Sequence, residues 1–352
     1  MSTPTSTHNI LLTGASGYLG GTLLARYSAA DLPAHQKLFA LVRSDAQAQA
    51  VKKYGAEPLL FNLNDEDAIT QVIITHEISI ILFLIDAGSA RYQPVMIRAL
   101  AQVKRTTNRD VHFLHTTGAK AFSGHAGHPT DVPLSDADPG LFELLGRPGK
   151  ANSWLGRASG VNRTVIETAE AHGVNSYIFI PCIVYGPGEG FGNRISIQTQ
   201  AIVKAAVGMR RVFRVDEGRP SWPVSHVRDT VGLYLELLRK MLRGEELGSG
   251  RQGYYLASSG SVVWEDLYEA MGARLAERGV VDDATVWDAK DADLERIGEI
   301  IGRPADFVPL EIGGKCTLEA HHGRQIGWVL QYGPEHILAA AADEVDLILE
   351  NL

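Results

Sequence analysis

A glycine-rich turn near the start of the chain limits its possible folds more than any other feature. The apolar run 10–13 before the turn is typical of a buried strand, and residues 21–26 after it favour a helix. Glycines let the backbone approach a phosphate closely, and a helix N-terminus presents free N–H groups and a positive dipole end. The spacing G-x-x-G-x-x-G predicts a pyrophosphate site for a dinucleotide rather than a plain turn. The predicted contacts are Gly14, Ser16, Gly17, Tyr18, Leu19 and Gly20.

Composition limits the classes of partner. The chain has 352 residues, of which 45% are apolar, so it can form one large core and a smaller lobe. Its 33 basic and 41 acidic residues give a net charge of -8 without a basic stripe, which makes nucleic acids and acidic membrane surfaces poor partners. The longest apolar run, 78–85, is too short to cross a bilayer, and residues 1–8 lack the apolar core of a secretion signal. With only two cysteines and no metal-ligand spacing, we expect a cytoplasmic protein without disulfides or a metal site.

Short apolar runs alternate with helical patterns through the first half. The predicted strands are 9–13, 37–42, 57–61, 78–84, 111–115 and 175–180, and the predicted helices are 17–28, 64–74, 91–105 and 155–172. Continuous apolar strands joined by helices are typical of a parallel sheet covered on both faces. The chain is therefore predicted to be an α/β protein with a Rossmann-type, doubly wound parallel sheet.

A smaller lobe is predicted in the second half. Residues 123–153, rich in Gly, Pro, Asp and His, indicate a long surface loop. Beyond residue 180 we expect helices at 195–208 and 227–243, a strand at 254–258, a helix capped by Ser261, and a last helix at about 335–350. The predicted division is a dinucleotide-binding domain, 1–184 with 225–260 returning to it, and a C-terminal substrate-binding lobe, 185–224 and 261–352.

The end of the second strand indicates which dinucleotide is bound. A site for NAD usually has a carboxylate there to accept from the ribose 2′-OH, whereas this chain has Arg43 and Ser44. A guanidinium suits a 2′-phosphate, so the sequence predicts NADP(H) rather than NAD(H). The neighbouring Asp45 counts against this prediction, and a solvated surface arginine is the alternative.

Several motifs in order along the chain resemble those of the extended short-chain dehydrogenases/reductases. They are the glycine turn, the stretch 62–65, His115-Thr116-Thr117-Gly118, the segment 181–188, the stretch 222–229 and Gly327-Trp328. The resemblance is closest to the atypical branch, NmrA-like or similar to NAD-dependent epimerases and dehydratases. It implies that Asn62 and Leu63 lie at the adenine ring, and that Pro181 and Ile183 face the cofactor.

The catalytic Tyr-x-x-x-Lys pair of that family is missing. No tyrosine lies between Tyr92 and Tyr177, and none in the chain is followed by lysine four positions later. The helix at 155–172 carries Trp154/Ala158, Leu155/Ser159 or Ser159/Arg163 at those positions, depending on register. In the family the lysine holds the nicotinamide ribose and the tyrosine transfers a proton. Here Arg163, or Arg157 in another register, is a candidate ribose clamp without being an acid.

Other residues are therefore candidates for the missing chemistry. Thr117 has the position of the family's catalytic Ser or Thr, and Lys120 lies three residues further on. Tyr185 follows the sixth strand in a segment that faces the cofactor in the family. His226 has a suitable pKa, but its position in the family is mainly structural. Each of these has a plain structural alternative, namely a satisfied strand end, a surface cation or a packed aromatic residue.

These observations favour an NADPH-dependent reductase of a small, largely apolar carbonyl or enone compound with a non-standard proton donor. A non-redox lyase or isomerase, and a non-catalytic NmrA-like dinucleotide sensor, stay open because the Tyr/Lys pair is missing. The resemblance also implies a homodimer through the helices at 91–105 and 155–172. Candidate contact residues are Trp154, Leu155, Val161 and Val165, unless they pack inside the monomer.

Overall fold

The computed structural model describes residues 8–146 and 154–352. The strands are β1 (Asn9–Leu12), β2 (Lys37–Leu41), β3 (Glu57–Leu59), β4 (Ile78–Phe83), β5 (His112–Thr116), β6 (Leu134–Ser135), β7 (Asn175–Pro181), β8 (Ile183–Tyr185), β9 (Val212–Arg214), β10 (Ser221–His226), β11 (Tyr254–Ala257), β12 (Gly260–Val263), β13 (Val286–Asp288) and β14 (Leu318–Glu319). The helices are α1 (Tyr18–Tyr27), α2 (Asp45–Lys52), α3 (Glu66–Thr75), α4 (Gln93–Thr107), α5 (Leu141–Leu145), α6 (Trp154–His172), α7 (Ile197–Met209), α8 (Val227–Arg243), α9 (Trp264–Glu277), α10 (Asp291–Ile301), α11 (Val308–Ile312), α12 (His322–Gln325), α13 (His336–Ala339) and α14 (Ala341–Leu349).

Seven parallel strands form the central sheet in the order β11-β7-β5-β4-β1-β2-β3. Every residue of β1 and β4 is buried, as expected for strands covered on both faces. Helix α4 packs against both α3 and α6, and α1 packs against α8. The strand order reverses between β1 and β4, and a doubly wound sheet binds its ligand outside the carboxyl ends of the strands at that point. This architecture confirms the predicted fold class.

The remaining elements form a second group around short sheets. Strand β10 pairs in parallel with β8 and antiparallel with β12, and β9 pairs with β13. Helix α7 packs against α10, α11 and α14, while α9 packs against α13 and α14. We call residues 185–224 and 261–352 the second lobe; as a domain boundary this division stays a prediction. No helix in the described parts of the chain is long and apolar enough to cross a membrane.

The six strands and four helices predicted in the first half are confirmed, but several predictions elsewhere are wrong. The stretch 123–153 is not a plain loop as far as residue 146, because it contains β6, which pairs with β14, and helix α5. Ser261 does not cap a helix; it lies in β12 opposite Pro223, and α9 begins at Trp264. The last helix is two helices, α13 and α14, separated at Ala340. Helices α2 and α10 were not predicted.

Three of the four apolar residues expected at a dimer contact are buried inside the monomer instead, and the side chain of the fourth, Trp154, lies outside the described residues. Leu155, Val161 and Val165 are at most 4% exposed, on a helix that packs against α4 and β7. Their side chains therefore offer no surface to a second copy. A homodimer remains a prediction, now without these three contacts.

Candidate functional site

The glycine turn leaves the N-terminus of α1 open to a ligand. Gly14 has a φ of +74°, and its carbonyl accepts a hydrogen bond from the Gly17 N–H at 2.8 Å. A Cβ atom on Gly20 would lie 2.3 Å from the Gly14 oxygen, so only glycine fits there. The first turn of α1 has no side-chain cap and no acidic residue. Its N–H groups and the positive end of its dipole are therefore available to an anion.

A cavity of about 430 Å³ opens beside this turn, at the carboxyl edge of the sheet. Its volume falls in the usual range for small-molecule sites. Five residues of the glycine turn line it, namely Gly14, Gly17, Tyr18, Leu19 and Gly20. Its other walls come from the ends of the neighbouring strands, from the turn after β5 and from the second lobe: Leu84, Ala87, Thr116, Thr117, Gly118, Ala119, Lys120, Ala121, Ala158, Pro181, Cys182, Val184, Asn193, Ser196, Ile197, Gln198 and Trp222.

The residues predicted to select the nucleotide lie beside the glycine turn. The Ser44 hydroxyl caps α2 by accepting from the Gln47 N–H at 3.3 Å. The Gln47 amide in turn donates to the Ser16 hydroxyl at 3.3 Å, which links the end of β2 to the turn. Arg43 is exposed, and its guanidinium makes no ion pair within the described residues. A cation is thus available at the position where a 2′-phosphate is expected.

The other predicted cofactor residues differ in their positions. Pro181 lines the cavity, whereas Ile183 is fully buried in β8 and does not. Asn62 is exposed after β3, where its side-chain oxygen accepts from the Asn64 N–H at 3.0 Å, and Leu63 is half-buried beside it. Of these four residues, the structure brings only Pro181 to the cavity.

Two polar residues after β5 reach the cavity. Thr117 is 7% exposed, and its hydroxyl has no hydrogen-bond partner in the described part of the protein. A buried hydroxyl left unpaired costs free energy, so this group suits a ligand that pairs with it. The neighbouring Thr116 hydroxyl is already paired with the Tyr234 hydroxyl at 2.7 Å.

Lys120 is the second of these residues. Its Nζ lies 2.5 Å from Oε2 of Glu311, a residue of α11 in the second lobe. Both side chains are largely buried, at 16% and 11% exposed. Burial lowers the pKa of Lys120, and the Glu311 carboxylate opposes that effect. Lys120 is the only charged residue among the described residues that line the cavity.

Helix α6 brings no acid to the cavity. Among the described residues of this helix, Ala158 alone lines the cavity, and it carries no ionisable group. The predicted ribose clamp Arg163 contacts other groups: it pairs with Glu167 at 2.8 Å and stacks on the Phe142 ring with its Cζ at 4.8 Å. It is held on the outer side of the helix because helical periodicity separates it from Ala158.

Tyr185 is also separated from the cavity. It is 1% exposed, and its hydroxyl lies 3.1 Å from Nδ1 of His336. The rings of His226 and His336 pack against it. Burial raises the pKa of Tyr185 and lowers that of His226 to about 4. These residues form a packed aromatic cluster between the two lobes rather than part of the cavity.

Sequence reasoning missed a loop that clasps the glycine turn. We call residues 186–194 the glycine strap. The Asn193 N–H donates to the Ser16 carbonyl at 2.9 Å, and a Cβ on Gly192 would lie 2.1 Å from that same oxygen. Gly190 approaches Gly21 closely enough that its Cβ would lie 2.5 Å from the Gly21 Cα. The run of glycines at 186, 188, 190 and 192 was the signal that indicated such a close backbone approach.

Sequence reasoning also missed two wall residues. Cys182 follows Pro181, and its thiol donates to the Ala257 carbonyl at 3.0 Å. Burial raises the pKa of this thiol, which disfavours its reactive thiolate form. Trp222 is 1% exposed, and its ring N–H lacks a partner within the described residues. No cluster of side chains suited to a metal ion occurs in the described ranges.

The family-model comparison gives one match. Residues 160–248 match the model of the NAD dependent epimerase/dehydratase family. No curated protein sequence matches the chain significantly.

Solved structures are similar over almost the whole chain. UDP-glucose 4-epimerase from Thermotoga maritima, solved with UDP-glucose, is 15% identical with a TM-score of 0.63, covering 97% of this chain and 99% of that one. UDP-glucose 4-epimerase from Bifidobacterium longum, solved with NAD+ and UDP, is 12% identical with a TM-score of 0.64, covering 98% and 100%. Vestitone reductase from alfalfa (Medicago sativa) is 15% identical with a TM-score of 0.59, covering 96% and 98%. At these identities the similarity establishes the fold.

Proposed function

We propose that the protein is an NADP(H)-dependent reductase of a small, largely apolar carbonyl or enone compound. One observation carries this proposal: a single cavity extends from the open N-terminus of α1 to Thr117 and Lys120. A dinucleotide bound at the glycine turn would have its reactive end beside a hydroxyl and an ammonium group. The structurally similar epimerase solved with NAD+ supports a nicotinamide dinucleotide.

The choice of NADP(H) rests on the end of β2. Arg43 and Ser44 stand where a carboxylate would select the 2′-OH of NAD, and Arg43 has no competing ion pair in the described residues. The pyrophosphate would lie on the N–H groups of Tyr18 and Leu19, since that of Gly17 is already paired with the Gly14 carbonyl. The uncapped N-terminus of α1 fits such a group.

The substrate class follows from the walls of the cavity. Most of its lining residues are apolar or glycine, and the charge of its lysine is neutralised by Glu311. A nucleotide sugar carries a diphosphate, which needs cations or several N–H donors when it is desolvated. The cavity therefore favours an uncharged carbonyl compound over the nucleotide sugar in the similar Thermotoga structure.

The chain's own residues can complete such a reduction. A reduced nicotinamide, when bound, supplies hydride to a carbonyl carbon. The ammonium group of Lys120 donates the proton that the carbonyl oxygen needs to become a hydroxyl. The Thr117 hydroxyl donates a hydrogen bond to the same oxygen as its charge develops. Apolar neighbours exclude water and strengthen both interactions.

The test is turnover by the purified protein. A panel of apolar ketones, aldehydes and enones, with UDP-glucose beside them, is screened for oxidation of NADPH. Lys120→Met should lower kcat/KM about 10²–10⁴-fold, the usual contribution of general acid catalysis. Lys240→Met is the matched control, because Lys240 is a similarly shielded lysine paired with Glu245. Equal loss in both variants, or turnover of UDP-glucose alone, would contradict the proposal.

A non-redox lyase or isomerase is the second candidate. It is favoured by helix α6, from which the described residues contribute only Ala158 to the cavity wall and no acid. Product formation without net oxidation of NADPH would identify this reaction class. The cytoplasmic location and the homodimer stay predictions of the same proposal.

A further inference from the structure

The contact between Lys120 and Glu311 joins the two parts of the molecule at the wall of the cavity. The two residues are 191 positions apart, one after β5 and the other on α11 of the second lobe. Lys120 lines the cavity, whereas Glu311 lies behind it and does not. Glu311 therefore acts on whatever occupies the cavity only through Lys120.

Glu311 has a second partner on its other oxygen. Its Oε1 accepts from Nε of Arg303 at 3.1 Å, and the Arg303 side chain is 53% exposed. Hydrogen-bonding groups thus run from solvent through Arg303 and Glu311 to Lys120. Burying an ion pair costs free energy unless good geometry and hydrogen bonds compensate. Glu311 is therefore a candidate for a functional role as well as a structural one.

We propose that Glu311 is a positioning residue that keeps Lys120 protonated at the cavity and returns a proton to it after each turnover. This inference rests on the proposed function, in which Lys120 protonates the substrate oxygen. The ammonium group loses one proton to that oxygen and becomes an amine. The Glu311 carboxylate takes a proton from solvent on the Arg303 side and passes it to the amine, which restores both groups.

The charges around Lys120 give the direction of each effect. Burial and the positive charge of Arg303 lower the pKa of Lys120, and the Glu311 carboxylate raises it. Neutralising Glu311 removes the opposing contribution, so the ammonium form persists only to a lower pH. Neutralising Arg303 does the reverse.

The experiment measures the protonation of Lys120 in two ways. The first is the pH profile of kcat/KM, whose basic limb reports the loss of the essential acid. The second is competitive acetylation of Lys120 in the cofactor-free protein, followed by mass spectrometry over the same pH range. Glu311→Gln should move both curves to lower pH by about one unit or more, as for loss of a close opposite charge. Glu311→Asp should recover most of the shift.

Two further variants make the test decisive. Arg303→Gln should move both curves to higher pH. Glu265→Gln, which removes a carboxylate 17% exposed and paired with Arg214 and Arg219, should leave them unmoved. If Glu311→Gln does not fold, the aspartate and Arg303 variants still decide the question.

The outcomes separate the two proposals. Full turnover in Lys120→Met would refute Lys120 as the proton donor and thus the mechanism of the proposed function. Loss of turnover in Lys120→Met with unshifted curves in the Glu311 and Arg303 variants would overturn the role of Glu311 alone. Shifted acetylation curves without any NADPH-dependent turnover would show that Glu311 controls Lys120 in a protein that is not this reductase, and would overturn the proton-return step.

Discussion

Replacing Arg43 with alanine should weaken binding of NADPH but not of NADH. Arg43 is exposed after β2 and has no ion pair in the described residues, so its removal should cost the fold little. At a separation of roughly 4 Å, two unit charges interact by about 1 kcal/mol in water and about 4 kcal/mol near a protein surface. Because Arg43 is well solvated, we expect the lower part of that range, about 1–2 kcal/mol, or roughly a 5–30-fold weaker affinity.

Calorimetry with both dinucleotides on both proteins measures this difference directly. The ratio of the two dissociation constants should change by that factor in Arg43→Ala, and the effect should shrink at high salt because exposed charges are screened. Lys52→Ala, at the far end of α2, is the control for general loss of positive charge. Equal weakening of NADPH and NADH, or an unchanged NADPH affinity, would refute the assignment of Arg43 to the 2′-phosphate.

Three further variants test the site and the fold. Gly192→Ala places a Cβ against the Ser16 carbonyl, so it should destabilise the protein by about 1–3 kcal/mol and weaken dinucleotide binding. Gly160→Ala is the control, because open space surrounds that position. Equal melting temperatures of the two variants would contradict the role of the glycine strap. Thr117→Val should leave the melting temperature unchanged, because the Thr117 hydroxyl has no partner within the described residues. The same variant should lower kcat/KM by about 10²-fold. An unchanged kcat/KM would mean that Thr117 takes no part in the reaction. Burial lowers the pKa of His115 from 6.5 to about 4, so the unfolded state binds more protons between those values and stability falls as the pH drops through that window. Urea titrations at pH values at both ends of the window measure the free energy of unfolding. Its decrease between the two pH values should be about 3 kcal/mol smaller in His115→Leu than in the unmodified protein. An equal decrease in both proteins would contradict the assignment to His115.

The fold could be predicted largely from local patterns. Strands such as β1 and β4 are continuous apolar runs. A glycine turn between a strand and a helix can likewise be recognised from the sequence, without knowledge of any tertiary contact. The errors came where pairing with distant strands decided the structure. Ser261 has the properties of a helix cap, yet its backbone pairs with Pro223 in β10, and β6 exists only because β14 lies beside it.

The candidate site was predictable only in part, for the same physical reason. Motif and register predicted the glycine turn, Thr117 and Lys120 as site residues, and the structure brings them to one cavity; their roles stay a proposal. Spacing also predicted Arg163 as a ribose clamp and Tyr185 as a proton donor. Neither residue lines the cavity, because Arg163 stacks on Phe142 and Tyr185 pairs with His336.

What the sequence by itself determined is the strand–turn–helix and the alternation that builds a doubly wound sheet. Both follow from backbone geometry and local hydrophobic periodicity. Only the tertiary structure decided which charges meet at the cavity. Glu311 reaches Lys120 across 191 residues because the packing of the second lobe brings α11 to the turn after β5. No local sequence pattern predicts that contact. The free energy of a buried ion pair depends on a distant partner and on the exclusion of water, and both arise only when the chain folds.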